Sequence, residues 1–180
     1  AVDNRMGLRY FCGAKEPHAG RAFDGIRHYP AGTRGYSFTR QELKEILELA
    51  GFSQNKFYYP LPDYKLPQLI YTDSYLPSQN LGERLIPYDV EHNSLIVREQ
   101  ELYQDVIENQ VFPFFANSFL VECGRLEAMG NVIYAAVSTD RGKEKGYATT
   151  IHSDGIVKKT PLFREGKADA GRLFANIEDL

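Results

Sequence analysis

Arg5, Arg9, Lys15, Arg21, Arg27, Arg34 and Arg40 stand against only Asp3, Glu16 and Asp24 in the first forty residues. The front of the chain therefore carries a surplus of positive charge on a polypeptide whose total is −3. A concentration of guanidinium groups on an acidic body predicts a site for an anionic ligand, because guanidinium binds phosphate and carboxylate through paired hydrogen bonds. His18 and His28 lie in the same stretch. Imidazole is the side chain whose ordinary pKa lies nearest neutrality, which makes His18 the candidate general base here, with His28 beside it.

The segment that holds these groups, residues 13–37, is punctuated by Gly13, Gly20, Gly25, Gly32 and Gly35 and by Pro17 and Pro30. It reads as a long irregular loop, and loops of this length in compact domains are disproportionately functional. The helix expected over 40–50 follows it. Thr39 is its N-cap, Glu42 completes a capping box, and Phe38 and Leu43 take the two staple positions. Leu43, Ile46, Leu47 and Ala50 recur with helical spacing on one apolar face, and Gly51 stands where a left-handed stop belongs. Asn55–Tyr59 then reads as a strand ended by Pro60-Leu61-Pro62, and Pro67–Tyr71 as a second. Residues 73–97 form a turn-rich linker. Glu99–Asn109 is a helix, and Phe114–Cys123 is a strand centred on 118–122. Strands over 131–138, 147–152 and 155–159 follow, joined by the charged turn Thr139–Gly146 and the hairpin signal Asp154-Gly155. A helix beginning near Arg164 closes the chain. The expected fold class is α/β, or α+β over the residues present.

Several classes are excluded. At 43% hydrophobic and 25% charged residues the composition is that of a globular protein. Its apolar runs fall far short of the ~20 residues that span a bilayer. A pI near 5.8 carries no nucleic-acid signature. Cys12 and Cys123 have neither metal-ligand spacing nor a disulfide framework, and are expected to be buried, reduced thiols of a cytoplasmic protein. Both ends read as cut: Ala1-Val2-Asp3 as the tail of a buried strand, Ala168–Leu180 as a helix without a stop signal.

Longer blocks carry a resemblance. They are Ala1-Val-Asp-Asn-Arg-Met-Gly-Leu-Arg-Tyr-Phe-Cys-Gly-Ala14, Glu16-Pro-His-Ala-Gly-Arg21, Phe23-Asp-Gly25, Tyr36-Ser-Phe-Thr-Arg40, Phe57-Tyr-Tyr-Pro-Leu-Pro-Asp-Tyr-Lys-Leu-Pro67 and Phe112-Pro-Phe-Phe-Ala-Asn-Ser-Phe-Leu-Val-Glu122. Together, over residues 1–123, they resemble the C-terminal half of class I S-adenosylmethionine-dependent methyltransferase-like domains of bacterial polysaccharide-synthesis proteins, which are often fused to glycosyltransferases. The resemblance implies a Rossmann-like sheet with Ala1–Asp3 at the end of its fifth strand, helix 40–50 as the last crossover, 55–59 as the sixth strand and 117–123 as the antiparallel seventh. It implies S-adenosylmethionine as the cofactor of the parent protein. The glycine-rich turn and ribose-binding acid that hold such a cofactor have no counterpart here, so these residues are not expected to bind it well.

What remains on this reading is the wall that meets the acceptor, a sugar or nucleotide-sugar. His18 is placed there as the base, and Asn4, Arg5, Arg21, Asp63, Tyr64 and Lys65 as substrate-binding residues; no metal is implied. Residues 124–180 form a second, small module. Lys158 or Lys159 with Glu165 makes it faintly similar to a protein-kinase N-lobe, where such a pair holds ATP phosphates. The alternative function is a non-catalytic module that docks neighbouring domains of the parent chain through aromatics in 57–75, with a homodimer as one way to cover an open sheet edge.

Overall fold

The computed structural model describes residues 1–85, 95–125, 129–138 and 141–167. Its described strands are β1 (Val2–Asp3), β2 (Gln54–Leu61), β3 (Leu69–Thr72), β4 (Ser118–Gly124), β5 (Val132–Ser138), β6 (Tyr147–His152) and β7 (Val157–Pro161). They form one open seven-stranded sheet in the order β1-β4-β2-β3-β5-β6-β7, with every neighbouring pair antiparallel. The described helices are α1 (Leu8–Phe11), α2 (Arg40–Leu49), α3 (Leu81–Arg84), α4 (Glu99–Glu108) and α5 (Phe112–Phe115). The protein is mixed α+β.

This departs from the expected Rossmann-like half-sheet, in which neighbouring strands are parallel. The physical reason is connection length. β2 turns into β3, β5 into β6 and β6 into β7 through short links, and only antiparallel neighbours accept them. β1 and β2 do run in the same direction, with α2 in the chain between them, but β4 lies between the two and is reversed against both. On the far side the sheet continues without a break, because Leu69 and Ile70 of β3 pair with Ala136 and Ala135 of β5.

The inward face of β2 is set by strand alternation. Phe57, Tyr59 and Leu61 are buried on one face, while Lys56 and Tyr58 are half-buried on the other. Leu8 of α1, Leu81 of α3, Tyr103 and Val106 of α4 and Phe112 of α5 complete the core against that face. Edge-to-face aromatic contacts fix its centre, with Tyr59 5.9 Å from Phe112 and Phe57 5.5 Å from Phe119 between ring centroids.

α2 begins as its sequence predicts. The Glu42 N–H donates to the Thr39 hydroxyl at 3.2 Å, and the Thr39 N–H donates to the Glu42 carboxylate at 2.7 Å. It ends on Gly51 at φ +86°, where the Phe52 N–H reaches the Leu47 carbonyl and the Gly51 N–H the Glu48 carbonyl. Its apolar face is less covered than amphipathic spacing implies. No α2 residue is fully buried, and Ile46 is 44% exposed.

Several element boundaries moved. β2 runs on through Pro60, which lies past the last residue paired to β4 (Tyr58↔Leu120) and so is flanked on one side only. The expected strand 114–123 starts at Ser118, because Pro113 in the first turn of α5 favours a helix over Phe112–Phe115. β7 sits two residues later than 155–159. The helix expected over Ala168–Leu180, residues 86–94 of the linker and the start of the turn at 139–140 lie outside the described residues. Cys12 is buried as expected, and burial, with Glu99 and Glu101 adding, pushes its thiol up to about 12. Cys123 is exposed, because β4 turns it away from the core.

Candidate functional site

The chain leaves β1 at Asp3 and β2 at Leu61 on the same edge of the sheet, since the two strands run the same way. The loop 13–37 and the turn 62–66 meet there. Asp3 is half-buried, and its carboxylate accepts no hydrogen bond from the described residues. Burial, with the Asp63 carboxylate adding, raises its pKa, and Arg9, Lys65 and His18 lie close enough to oppose that rise. Three of the predicted residues, His18, Asp63 and Lys65, are thus gathered around a carboxylate that sequence reasoning passed over. The available signal was an acid at a strand exit, immediately before Asn4-Arg5.

The predicted site residues differ in how free they are. His18 and Lys65 are exposed; the Lys65 ammonium lies 5.7 Å from the centre of the half-buried Tyr64 ring. Arg21 is exposed, and its carbonyl accepts from the Glu16 N–H at 3.0 Å. Asp63, by contrast, is fully buried and committed. Its Oδ1 accepts from the Lys65 N–H at 2.7 Å, and its Oδ2 pairs with the Arg9 guanidinium at 3.3 Å. Asp63 shapes the turn and anchors Arg9, and both of its carboxylate oxygens are engaged in internal bonds.

Asn4 is likewise structural. Its Nδ2 donates to the Phe114 and Ala116 carbonyls at 2.8 and 2.7 Å, and its Oδ1 accepts from the Met6 N–H. Arg5 is buried, with Nη2 on Glu42 and Nη1 3.1 Å from His28 Nδ1. A guanidinium can only donate, so His28 Nδ1 accepts and the ring proton sits on Nε2.

What holds loop 13–37 in shape is a second residue missed in the sequence, Glu16, which is 1% exposed. Its Oε2 accepts from the His18 and Ala19 N–H groups at 2.7 Å each, and its Oε1 from the Tyr29 hydroxyl at 2.8 Å. The Ser37 N–H then donates to that tyrosine oxygen at 2.7 Å, which closes the loop on itself. His18 packs directly over the α-carbon of Gly35, where any larger residue would displace the ring.

On the other side of Asn4 a cleft of about 460 Å³ opens between this loop, the first turn of α2 and the α4–α5 corner. Its floor is apolar, formed with Met6, Ile26 and Phe114, and Gln41, Gln110 and His28 stand on its rim. Arg40 also lines it. That guanidinium pairs with Asp73 at 2.7 Å and sits 4.9 Å over the Phe57 ring, but its Nε is buried with no hydrogen-bond partner among the described residues.

Gly7, the first glycine after β1, has its open side filled by Asn117, whose Cα would lie 3.0 Å from an added Cβ. The glycine serves close backbone packing and leaves no room for a ligand. Among the described residues no cluster of His, Cys, Asp and Glu is placed to hold a metal ion, and no helix is long and apolar enough to cross a membrane. In the tail, the Lys159 ammonium lies 4.8 Å from the Tyr147 ring centre, and Lys158 and Glu165 are exposed. Of the aromatics in 57–75, Phe57, Tyr59 and Tyr71 are buried and only Tyr75 is exposed. No family model, curated protein or solved structure matches this chain.

Proposed function

We propose that this chain is the acceptor-binding part of a methyl-transferring enzyme that acts on a sugar or nucleotide-linked sugar, with the site at Asp3, His18, Arg21 and Lys65. The single observation that carries it is that His18 and Lys65 lie within electrostatic reach of the half-buried Asp3 carboxylate, which has no hydrogen-bond partner among the described residues, at the shared exit of β1 and β2. The direction of β1 and β2, the helix between them and the reversed β4 support the same reading, since the resemblance implies such an arrangement for its fifth, sixth and seventh strands. Lys65 and Arg21 attract the phosphate of the acceptor. Asp3 accepts a hydrogen bond from a sugar hydroxyl, and His18 takes the proton of the hydroxyl that is modified. The methyl donor is held elsewhere in the parent protein.

The test is a titration of the chain with UDP-glucose, followed by NMR. Binding should shift the amides of His18 and Lys65, and Lys65→Ala or Arg21→Ala should each weaken it by about three- to tenfold, the usual loss for one charged phosphate contact. Undisturbed amides at the mouth, at about 10 mM ligand, would sink the acceptor reading. One observation favours a docking module instead: Ile46 and Leu49 of α2 stand 44% and 89% exposed. On that reading, sugar ligands leave the mouth unchanged.

A further inference from the structure

The cleft beside Asn4 is not used by the chemistry at the mouth, yet its rim is built at a cost. Gln110 occupies the left-handed stop of α4 at φ +59°. The Val111 N–H bonds the Val106 carbonyl, and the Gln110 N–H the Ile107 carbonyl. Glycine takes that position without strain, as Gly51 does at the end of α2, whereas a glutamine there costs on the order of 1 kcal/mol. His28, on the opposite rim, is held at φ +65° as well. At Gln110 glycine would keep the local backbone hydrogen bonds, so the strain points to a use for the side chain itself, whereas the His28 ring already serves Arg5.

The chemistry of the lining says which ligand. The floor of Met6, Ile26 and the half-exposed Phe114 presents flat apolar surface to a ring. The Gln110 amide offers a donor and an acceptor group, and Gln41, whose Nε2 donates one N–H to Glu45 at 2.8 Å, keeps its second N–H and its oxygen, the pattern that matches the edge of a nucleobase. Two groups that can donate line the same cleft: Arg40, which is already paired with Asp73, and His28, whose Nδ1 is taken by Arg5 and whose Nε2–H is left to donate. A volume of about 460 Å³ admits a nucleotide. The residues that line the cleft include no carboxylate, which favours a phosphate over a sulfonium.

We infer that this cleft is a nucleotide-binding site: the base lies on Phe114 with its edge read by Gln41 and Gln110, and the phosphate sits by Arg40 and His28. The inference deepens the acceptor reading and rests on it for the role of the nucleotide, which is the handle of the sugar substrate. Binding itself rests on the cleft alone.

Titration of ¹⁵N-labelled chain with UMP, uridine and inorganic phosphate, separately, tests it. UMP should shift the side-chain NH₂ signals of Gln41 and Gln110, and bind more tightly than uridine or phosphate alone. Phe114→Ala and Gln41→Ala should each weaken UMP by about tenfold, the usual loss for a stacked or paired base contact. Gln110→Gly should weaken it too while raising the melting temperature, which separates loss of binding from loss of fold. Three results would overturn the inference: no shifts at about 10 mM UMP, phosphate binding as tightly as UMP, or UMP affinity unchanged in Phe114→Ala. Lys65→Ala separates the two sites, because it should weaken UDP-glucose and leave UMP untouched. If UMP binds the cleft while Lys65→Ala leaves UDP-glucose affinity unchanged, the mouth reading falls and the cleft stands.

Discussion

Asp3 keeps its carboxylate half-buried and without a hydrogen bond from the described residues, while Asp63, its neighbour across the mouth, is fully buried and bonded at both oxygens. The two acids therefore work in opposite senses. Burial raises the folded pKa of Asp3 above its ordinary 3.8, against the pull of Arg9, Lys65 and His18. The folded state then holds the Asp3 proton more tightly than the unfolded chain, so the cost of ionising Asp3 grows as pH rises through that window and is complete at neutral pH. Asp3→Asn is expected to stabilise the fold at pH 7, by no more than about 1 kcal/mol because solvent screens a partly buried group, and to lose the gain below pH ~4. Thermal melts at the two pH values check it. A gain in stability joined to a loss of UDP-glucose binding marks a residue kept for its ligand.

At the scale of elements, the two ten-residue helices give a matched pair. α2 is bounded by Thr39, Glu42 and Gly51, the residues that physical chemistry prefers at those positions, whereas α4 ends on Gln110. The same backbone hydrogen bonds close both, so Gln110→Gly should stabilise by about 1 kcal/mol, read as an upward shift in denaturation midpoint. At the start of α2, burial works to raise the Glu42 pKa, but the Thr39 N–H and hydroxyl and the Arg5 guanidinium outweigh it and hold it below its ordinary 4.5. A lowered folded pKa gives stability that is fully present above pH 4.5 and is lost as pH falls through the folded value. Glu42→Gln should therefore flatten the acid limb of the stability curve, by about 0.5–1 kcal/mol for a half-exposed cap. Melting curves from pH 7 down to about pH 3 read this directly.

Across the whole molecule, Arg9 ties separate parts of the chain into one body. From α1 it reaches Asp63 and the Pro62 carbonyl after β2, and it lies in the field of Glu99 at the start of α4. Asn117 completes the knot, donating to Glu99 at 2.6 Å and accepting from the Arg9 N–H at 3.0 Å. Desolvation disfavours the Arg9 charge, but Glu99, Tyr10, Asp63 and Asp3 more than compensate and raise its pKa. Arg9→Met would strand Asp63 without its cation, at an expected cost of about 3–5 kcal/mol in chemical denaturation. Local substitutions at exposed His18 or Lys65 should leave the midpoint nearly unmoved.

The sequence by itself determined the local features: the capping box and glycine stop of α2, the strand-prone runs of β2 through β7, the Asp154-Gly155 turn, and a charged, glycine-rich loop at the front. Each depends on residues within a few positions of one another, so spacing and side-chain type suffice. Of the site, His18, Lys65 and Arg21 were legible as exposed charges in loops, and Arg5 as a cation in the basic stretch. Only the tertiary structure decided that all the described strands pair antiparallel, that Phe112–Phe115 coils before β4 begins, and that Asn4, Arg5 and Asp63 are consumed by internal bonds. It alone brought Asp3 within electrostatic reach of His18 and Lys65 and put Gln41 and Gln110 on one cleft. Pairing partners, burial and the fate of a carboxylate depend on groups distant along the chain that meet only when the backbone has closed, and no local pattern encodes which of them will meet.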